Sequence, residues 1–319
     1  MRIVSLLPSA TEIVCALGLS ESLVGVTHEC DYPPAARSRP IVTHSLLDHD
    51  GTTSEDIDQA VRQQLQDGLS LYELDYALLA QVAPDLVLTQ ALCDVCAVAY
   101  GDVERAIRDI SAGNPLAPKV LSLEPTGLED ILATIEHVGA AAGVTQRAAT
   151  LVSSLQARIE RVRARTMQAE RRPRVACLEW LSPTFGPGHW LPELVELAGG
   201  RPGLGQAHSE SRRIAWDDVI AFAPEVIVVT PCGFDLRRTV VEAERVLPSR
   251  NGWAALPAVR HGRVYAVDGN AYFSRPGPRI VDSLELLAEL IHPELCAGWG
   301  PRDAWQPLAN VQLHMIEIH

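Results

Sequence analysis

Four of the seven cysteines in this 319-residue chain fall just past stretches that read as β-strands: Cys30, Cys93, Cys96 and Cys232. Cys93 and Cys96 form a Cys-x-x-Cys pair close behind the apolar run Leu86-Val-Leu88. Thiolates at about 2.3 Å hold zinc in a closed tetrahedral site, and sets of four also hold iron–sulfur clusters. A lone Cys-x-x-Cys is a weak signal, and two further cysteines at equivalent strand ends strengthen it. The same residues read equally as small buried side chains or as a reactive dithiol. Cys15, Cys177 and Cys296 fall inside a helix, inside a strand and in the tail, where core or surface thiols are expected. His28 and Glu29 sit beside Cys30, so His28 is a candidate metal ligand as well as a candidate turn cap.

A second group of residues suits an apolar, flat ligand. Trp180, Phe185, His189 and Trp190 make an aromatic stretch behind a strand that ends in Glu179. Aromatic faces supply large apolar area with few rotatable bonds. Tyr272, Phe273 and Arg275 lie in a later loop, where Arg275 could grip carboxylate, amide or phosphate groups. The plain alternatives are a solvated Glu179, aromatic side chains that cover the sheet, and an Arg275 ion pair within its own loop.

Strands and helices must place these residues. Residues 2–7, 23–27, 86–88 and 119–123 read as strands, each followed by a loop and a helical pattern. Residues 70–75 read as a short edge element. Four strand-then-helix units in series predict a parallel sheet with right-handed crossovers. Residues 144–170 contain no Gly or Pro, and Leu151, Leu155, Ile159 and Val162 recur at helical spacing. One long helix is expected there, about 40 Å at 1.5 Å per residue. A second set of strands follows at 174–179, 225–230 and 263–267, with helices at 192–197, 216–222 and 279–291. The organisation expected is a first α/β lobe at 1–142, a linker helix at 143–171, a second α/β lobe at 172–293 and an unpatterned tail at 294–319. Ligands in open α/β sheets bind beyond the carboxyl ends of the strands, where all the candidate loops lie.

Composition removes several classes of function. A net charge of −13 disfavours nucleic acid as a partner, because phosphate binding needs a basic surface. No run is long and apolar enough to span a membrane. Thr11 and Glu12 interrupt the opening apolar stretch, so it is not expected to be a signal peptide. The expected location is the cytoplasm, where cysteines stay reduced, and a longer precursor would reverse this to the periplasm. The sequence holds no Walker loop, Gly-x-Gly-x-x-Gly fingerprint or His-Glu-x-x-His motif, and no Ser-His-Asp order is apparent. Hydrolytic and phosphoryl-transfer enzymes are therefore disfavoured.

Several motifs carry a likeness to a known family. Ser5-Leu-Leu-Pro-Ser-Ala-Thr-Glu12, Val24-Gly-Val-Thr27 and Asp31-Tyr-Pro-Pro34 open the chain. Pro84-Asp-Leu-Val-Leu88, the long middle helix, Gly188-His-Trp190 and Tyr272-Phe-Ser-Arg-Pro-Gly277 follow. In this order the chain resembles the class III substrate-binding proteins of ABC importers, most of all their vitamin B12-binding branch, over roughly residues 1–293. The resemblance implies two Rossmann-like lobes with parallel sheets, joined by one rigid helix, with little hinge motion. It also implies one ligand held in the cleft between the lobes, and an ABC permease as partner if a secreted form exists.

Two functions are expected from these readings. The first is a non-enzymatic binding protein for a corrinoid such as cobalamin, or a related small-molecule metal chelate. In that case His28 is a candidate axial base to the metal, and Glu29, Glu179, Trp180, Phe185, His189, Trp190, Tyr272, Phe273 and Arg275 are candidate contacts. The second is a metalloprotein in which Cys30, Cys93, Cys96 and Cys232 hold an iron–sulfur cluster or zinc, with a redox or sulfur-handling role.

Overall fold

The computed structural model describes residues 1–47, 52–67, 69–91, 98, 100–111 and 117–308. The chain divides into two compact units. Met1–Thr52, Asp56–Pro125 and Glu129–Ser154 form the first, and Thr53–Glu55, Thr126–Leu128 and the chain from Leu155 onward form the second.

The first unit is built on a four-stranded parallel sheet. Its strands are β1 (Ile3–Ser5), β2 (Leu23–Gly25), β5 (Leu86–Thr89) and β6 (Lys119–Ser122), in the order β2-β1-β5-β6. A separate antiparallel ribbon pairs β3 (Thr43–Ser45) with β4 (Tyr72–Leu74). All four residues of β5 are buried, as expected of a central parallel strand covered on both faces. One apolar cluster runs from Val4 and Leu6 through Val42, Leu79 and Val87 to Val103 and Ala106 on the helix Tyr100–Ser111. Asp75 starts the helix Tyr76–Val82 by accepting the Leu78 amide hydrogen at 2.8 Å, which satisfies one of the donors that a helix start leaves open.

The second unit carries a five-stranded sheet in the order β11-β10-β9-β7-β8. These strands are β7 (Arg174–Leu178), β8 (Arg201–Pro202), β9 (Val226–Val229), β10 (Val264–Val267) and β11 (Trp305–Pro307). Every contact in it is parallel except that of β10 with β11. Val226–Val229 is fully buried, and Leu178, Leu181, Ile227, Val229, Trp253 and Ala266 belong to the core around it.

The stretch expected as an unpatterned tail from residue 294 is part of this unit. Pro293–Cys296 is a helical turn, and β11 pairs antiparallel with β10 through Tyr265 opposite Pro307 and Val267 opposite Trp305. β11 is an edge strand with Gln306 and Pro307 exposed, so it shows little of the apolar signature of the central strands. The helix Leu236–Val246 is also additional to the elements expected from the sequence.

The long helix is Thr145–Thr166, 22 residues or about 33 Å. It ends before the expected residue 170, where the Thr166 hydroxyl donates to the Leu197 carbonyl at 2.9 Å. Its first part belongs to the first unit and its second part, from Leu155, to the second. Within the second unit, Arg158 and Arg161 converge on Glu285 of the helix Ile280–Ile291, and Arg158 also meets Asp282 at 2.5 Å. Among the described residues no helix is long and apolar enough to cross a membrane.

Candidate functional site

Strand order locates the edge of each sheet where a crevice is expected. In the second unit the chain winds from β7 to β8 on one side, then returns past β7 to β9 and on to β10. The winding reverses between β7 and β9, and such a reversal leaves a crevice beyond the carboxyl ends of the two strands. Glu179 and Trp180 follow β7 there, and Pro231, Cys232 and Phe234 follow β9. The Cys232 amide donates to the Glu179 carbonyl at 3.3 Å, which ties the two loops together.

Glu179 is the most constrained acid of this edge. Its carboxylate accepts the Gly188 amide hydrogen at 3.0 Å and a short hydrogen bond from the Ser211 hydroxyl. Burial pushes its carboxyl up to about 7, against the lowering effect of those two donors. Gly188 is required by close approach, since a Cβ there would lie 2.3 Å from the Ser211 backbone nitrogen. The segments on either side are laced together. Gly186 donates to the Arg212 carbonyl at 3.0 Å, His189 to Ser209 at 2.6 Å, and His208 to His189 at 2.9 Å. These bonds hold His189 in the left-handed region at φ +48°, and burial lowers the basicity of its ring.

The aromatic candidates separate by exposure. Trp180 is half-buried, lies 5.1 Å from the Phe234 ring at a 59° tilt, and donates from its indole nitrogen to the Ser54 carbonyl at 3.0 Å. Phe185 is half-buried and joins Trp180 in a short antiparallel bridge. Trp190 and Phe273 are buried, and the Trp190 indole donates to the Phe273 carbonyl at 3.0 Å, so they brace two loops from inside. Tyr272 is half-buried with the Arg279 guanidinium 5.3 Å from its ring centre, and Arg275 is only 4% exposed. The loop after β10 is fastened to the loop after β9 by Asn270 donating to the Phe234 carbonyl at 3.0 Å. Phe234 and Ser211 are not among the sequence candidates. Phe234 carries the same signal as its neighbours, an aromatic residue just past a strand end. Ser211 lies 32 residues from Glu179 and carries no local signal.

In the first unit the winding reverses between β1 and β5. A buried hydroxyl and thiol chain follows β1. Thr11 donates to Ser5 Oγ at 2.9 Å, and Cys30 Sγ lies 3.0 Å from the Thr11 hydroxyl and 3.2 Å from that of Thr27. Beyond β2, His28 is half-buried with Nδ1 2.9 Å from Thr43 Oγ1 and its ring 5.7 Å from Tyr72. Burial lowers the basicity of His28, while a hydrogen bond to the Thr43 backbone opposes the shift. Glu29 is exposed beside it.

Of the four candidate metal-binding thiols, Cys93 and Cys96 lie outside the described residues. Cys30 is buried in the first unit and Cys232 is exposed in the second. Among the described residues, no group of three or more His, Cys, Asp or Glu side chains is placed to hold a metal ion. The structure gives the four-thiol cluster no support of its own.

The profile of the periplasmic binding protein family matches residues 3–271. The chain is 25% identical over 304 residues to an uncharacterized ABC transporter substrate-binding lipoprotein, YvrC, of Bacillus subtilis, covering 92% of this chain and 80% of that one. It is 25% identical over 295 residues to the vitamin B12-binding protein of Vibrio cholerae, covering 89% and 86%. The structure superposes on the periplasmic heme-binding protein RhuT of Roseiflexus with a TM-score of 0.68 at 23% identity, over 92% of this chain and 98% of that one. With two α/β units, parallel sheets and a long helix shared between them, the chain belongs to the periplasmic binding protein family and has the class III fold of ABC-importer substrate-binding proteins.

Proposed function

We propose that this protein captures a corrinoid, the cobalamin class of metal chelate, for an ABC permease. The observation that carries the reading is the aromatic and acidic edge at the β7–β9 reversal. Half-buried Trp180 leans on Phe234 beside a Glu179 held by two donors. An apolar ring system needs such a face, and a corrinoid's amide side chains need fixed polar partners at its rim. The likeness to a vitamin B12-binding protein over most of both chains supports the same ligand class. Trp180, Phe185 and Tyr272 are the candidate aromatic contacts and Glu179 a candidate rim contact. Trp190, Phe273 and Arg275 act from behind as supports.

A thermal-shift screen tests the reading, because a ligand that binds only the folded state raises its stability by RT ln(1 + [L]/Kd). Cyanocobalamin, ferric haem and a ferric siderophore are compared at equal concentration. Cyanocobalamin should raise the midpoint most, and Trp180→Ala should reduce that rise without lowering the unliganded midpoint to the same extent. A midpoint that moves with the siderophore alone overturns the corrinoid assignment.

A further inference from the structure

We infer that Glu242 is a positioning residue for the Trp180 indole, acting through Ser54, an assignment that rests on the reading of Trp180 as a contact for the captured chelate.

Trp180 is fastened at its polar tip and braced on its face. Its indole nitrogen donates to the Ser54 carbonyl at 3.0 Å, and its ring lies 5.1 Å from that of Phe234. An indole has two rotatable angles, so a hold at the tip and another on the face leave it one orientation. The acceptor must itself be fixed for this to work. Ser54 opens the helix Ser54–Gln66, so its amide has no partner within that helix. Glu242 supplies one. Its Oε1 accepts the Ser54 amide hydrogen at 3.0 Å and a short hydrogen bond from the Ser54 hydroxyl. Thr53–Glu55 belongs to the second unit together with Trp180 and Glu242, so the whole relay lies inside one unit.

Glu242 is held in turn. Arg245 donates from Nε to Oε2 at 3.1 Å and from a terminal nitrogen to Oε1 at 2.7 Å. Ser54 and Glu242 are both buried. Burial works against the charge, yet the bonds from Arg245 and Ser54 hold the Glu242 carboxyl below its ordinary value. It therefore meets the start of the helix as a carboxylate, the charge that a helix N-terminus favours.

One helix supplies both holds on Trp180. Glu242 lies on the helix Leu236–Val246, four residues after Arg238 and so on the same face of it. The Arg238 guanidinium lies 3.9 Å from the centre of the Phe234 ring, and Phe234 directly precedes the Asp235 cap of this helix. The face of Trp180 is braced from the start of Leu236–Val246 and its tip from farther along.

Two measurements on the whole chain test the assignment. The first needs no ligand: solvent exchange of the indole N–H signals, with that of Trp180 identified by its loss in Trp180→Phe. In Glu242→Ala the Trp180 indole should exchange about tenfold faster, while the Trp190 indole, bonded to Phe273, should not change. Glu242→Gln should stay near wild type, because Oε1 carries both bonds to Ser54. Ser54→Ala, which keeps the amide bond, should move the Trp180 signal in the same direction by less. The second is the affinity for cyanocobalamin. Glu242→Ala should lose about fivefold to tenfold in the wild-type background and less than about twofold in Trp180→Phe, which has no indole donor. An unchanged Trp180 signal, or equal acceleration at Trp180 and Trp190, would overturn the positioning role. Equal affinity losses in the two backgrounds, or no loss in either, would overturn its part in capture. Wild type that binds no cyanocobalamin would overturn the corrinoid reading, and the exchange rates would still decide whether Glu242 holds the indole.

Discussion

Replacing Glu179 by glutamine should make the protein more stable at neutral pH and leave it unchanged in acid. Burial pushes the folded-state value of this carboxyl up to about 7, against an ordinary value of 4.5. Because the folded value is raised, the proton is held more tightly in the folded chain than in the unfolded one. The associated stability is fully present below pH 4.5 and is lost as pH rises through 7. A gap of about 2.5 units at 1.36 kcal/mol each corresponds to about 3 kcal/mol, an upper figure given the donors at Gly188 and Ser211. Glutamine keeps the shape and cannot ionise. Its oxygen accepts from Gly188 and its amide donates to Ser211 Oγ, so the acid-pH structure is preserved. Urea unfolding of both proteins at pH 4.5, 6, 7 and 8 isolates the effect, because every other titrating group cancels in the difference. The two stabilities should coincide at pH 4.5 and diverge to about 2–3 kcal/mol in favour of Glu179→Gln by pH 8. Parallel curves, or a variant that is the weaker at pH 8, would refute the account of this carboxyl.

Three further outcomes follow from the same structure. Gly188→Ala puts a Cβ 2.3 Å from the Ser211 nitrogen and 2.7 Å from the Ser209 carbonyl oxygen, so urea unfolding should show a loss of about 1–3 kcal/mol. Arg158→Met removes the guanidinium that spans Asp282 and Glu285, but Arg161 still meets Glu285 and Arg158 is 32% exposed. The loss, measured by thermal unfolding, should therefore be about 1–2 kcal/mol rather than the 3–5 typical of a buried pair left broken. Brief alkylation of the folded protein followed by peptide mass spectrometry should label Cys232 and spare Cys30, Cys177 and Cys296, since the first is exposed and the others are buried. Burial also pushes the Cys177 thiol up, away from the reactive thiolate.

The central strands were legible because a parallel strand covered on both faces must be apolar throughout. Leu86-Val-Leu88 and Val226-Ile-Val-Val229 have that composition with few polar interruptions. β11 was not, because an edge strand of three residues with two of them exposed depends on its pairing to β10 rather than on its own residues. The helix Leu236–Val246 did carry readable signals, an Asp235 cap and buried Thr239, Ala243 and Val246 at helical spacing. In the candidate site, strand ends pointed to Glu179 and Trp180, and both lie where the winding reverses. The partners that shape them were hidden. Ser211 and Thr43 are ordinary polar residues in sequence, brought to Glu179 and His28 by folding across 32 and 15 positions. The aromatic stretch from Trp180 to Trp190 looked uniform, yet packing divides it into a half-buried face at Trp180 and Phe185 and an internal brace at Trp190.

Equilibrium dialysis of the purified protein against cyanocobalamin tests the central claim most directly, with bound corrinoid read from its own visible absorption. The account predicts saturation at one equivalent per chain, weakened in Trp180→Ala. A protein that retains no corrinoid above the dialysate at saturating concentration would contradict it.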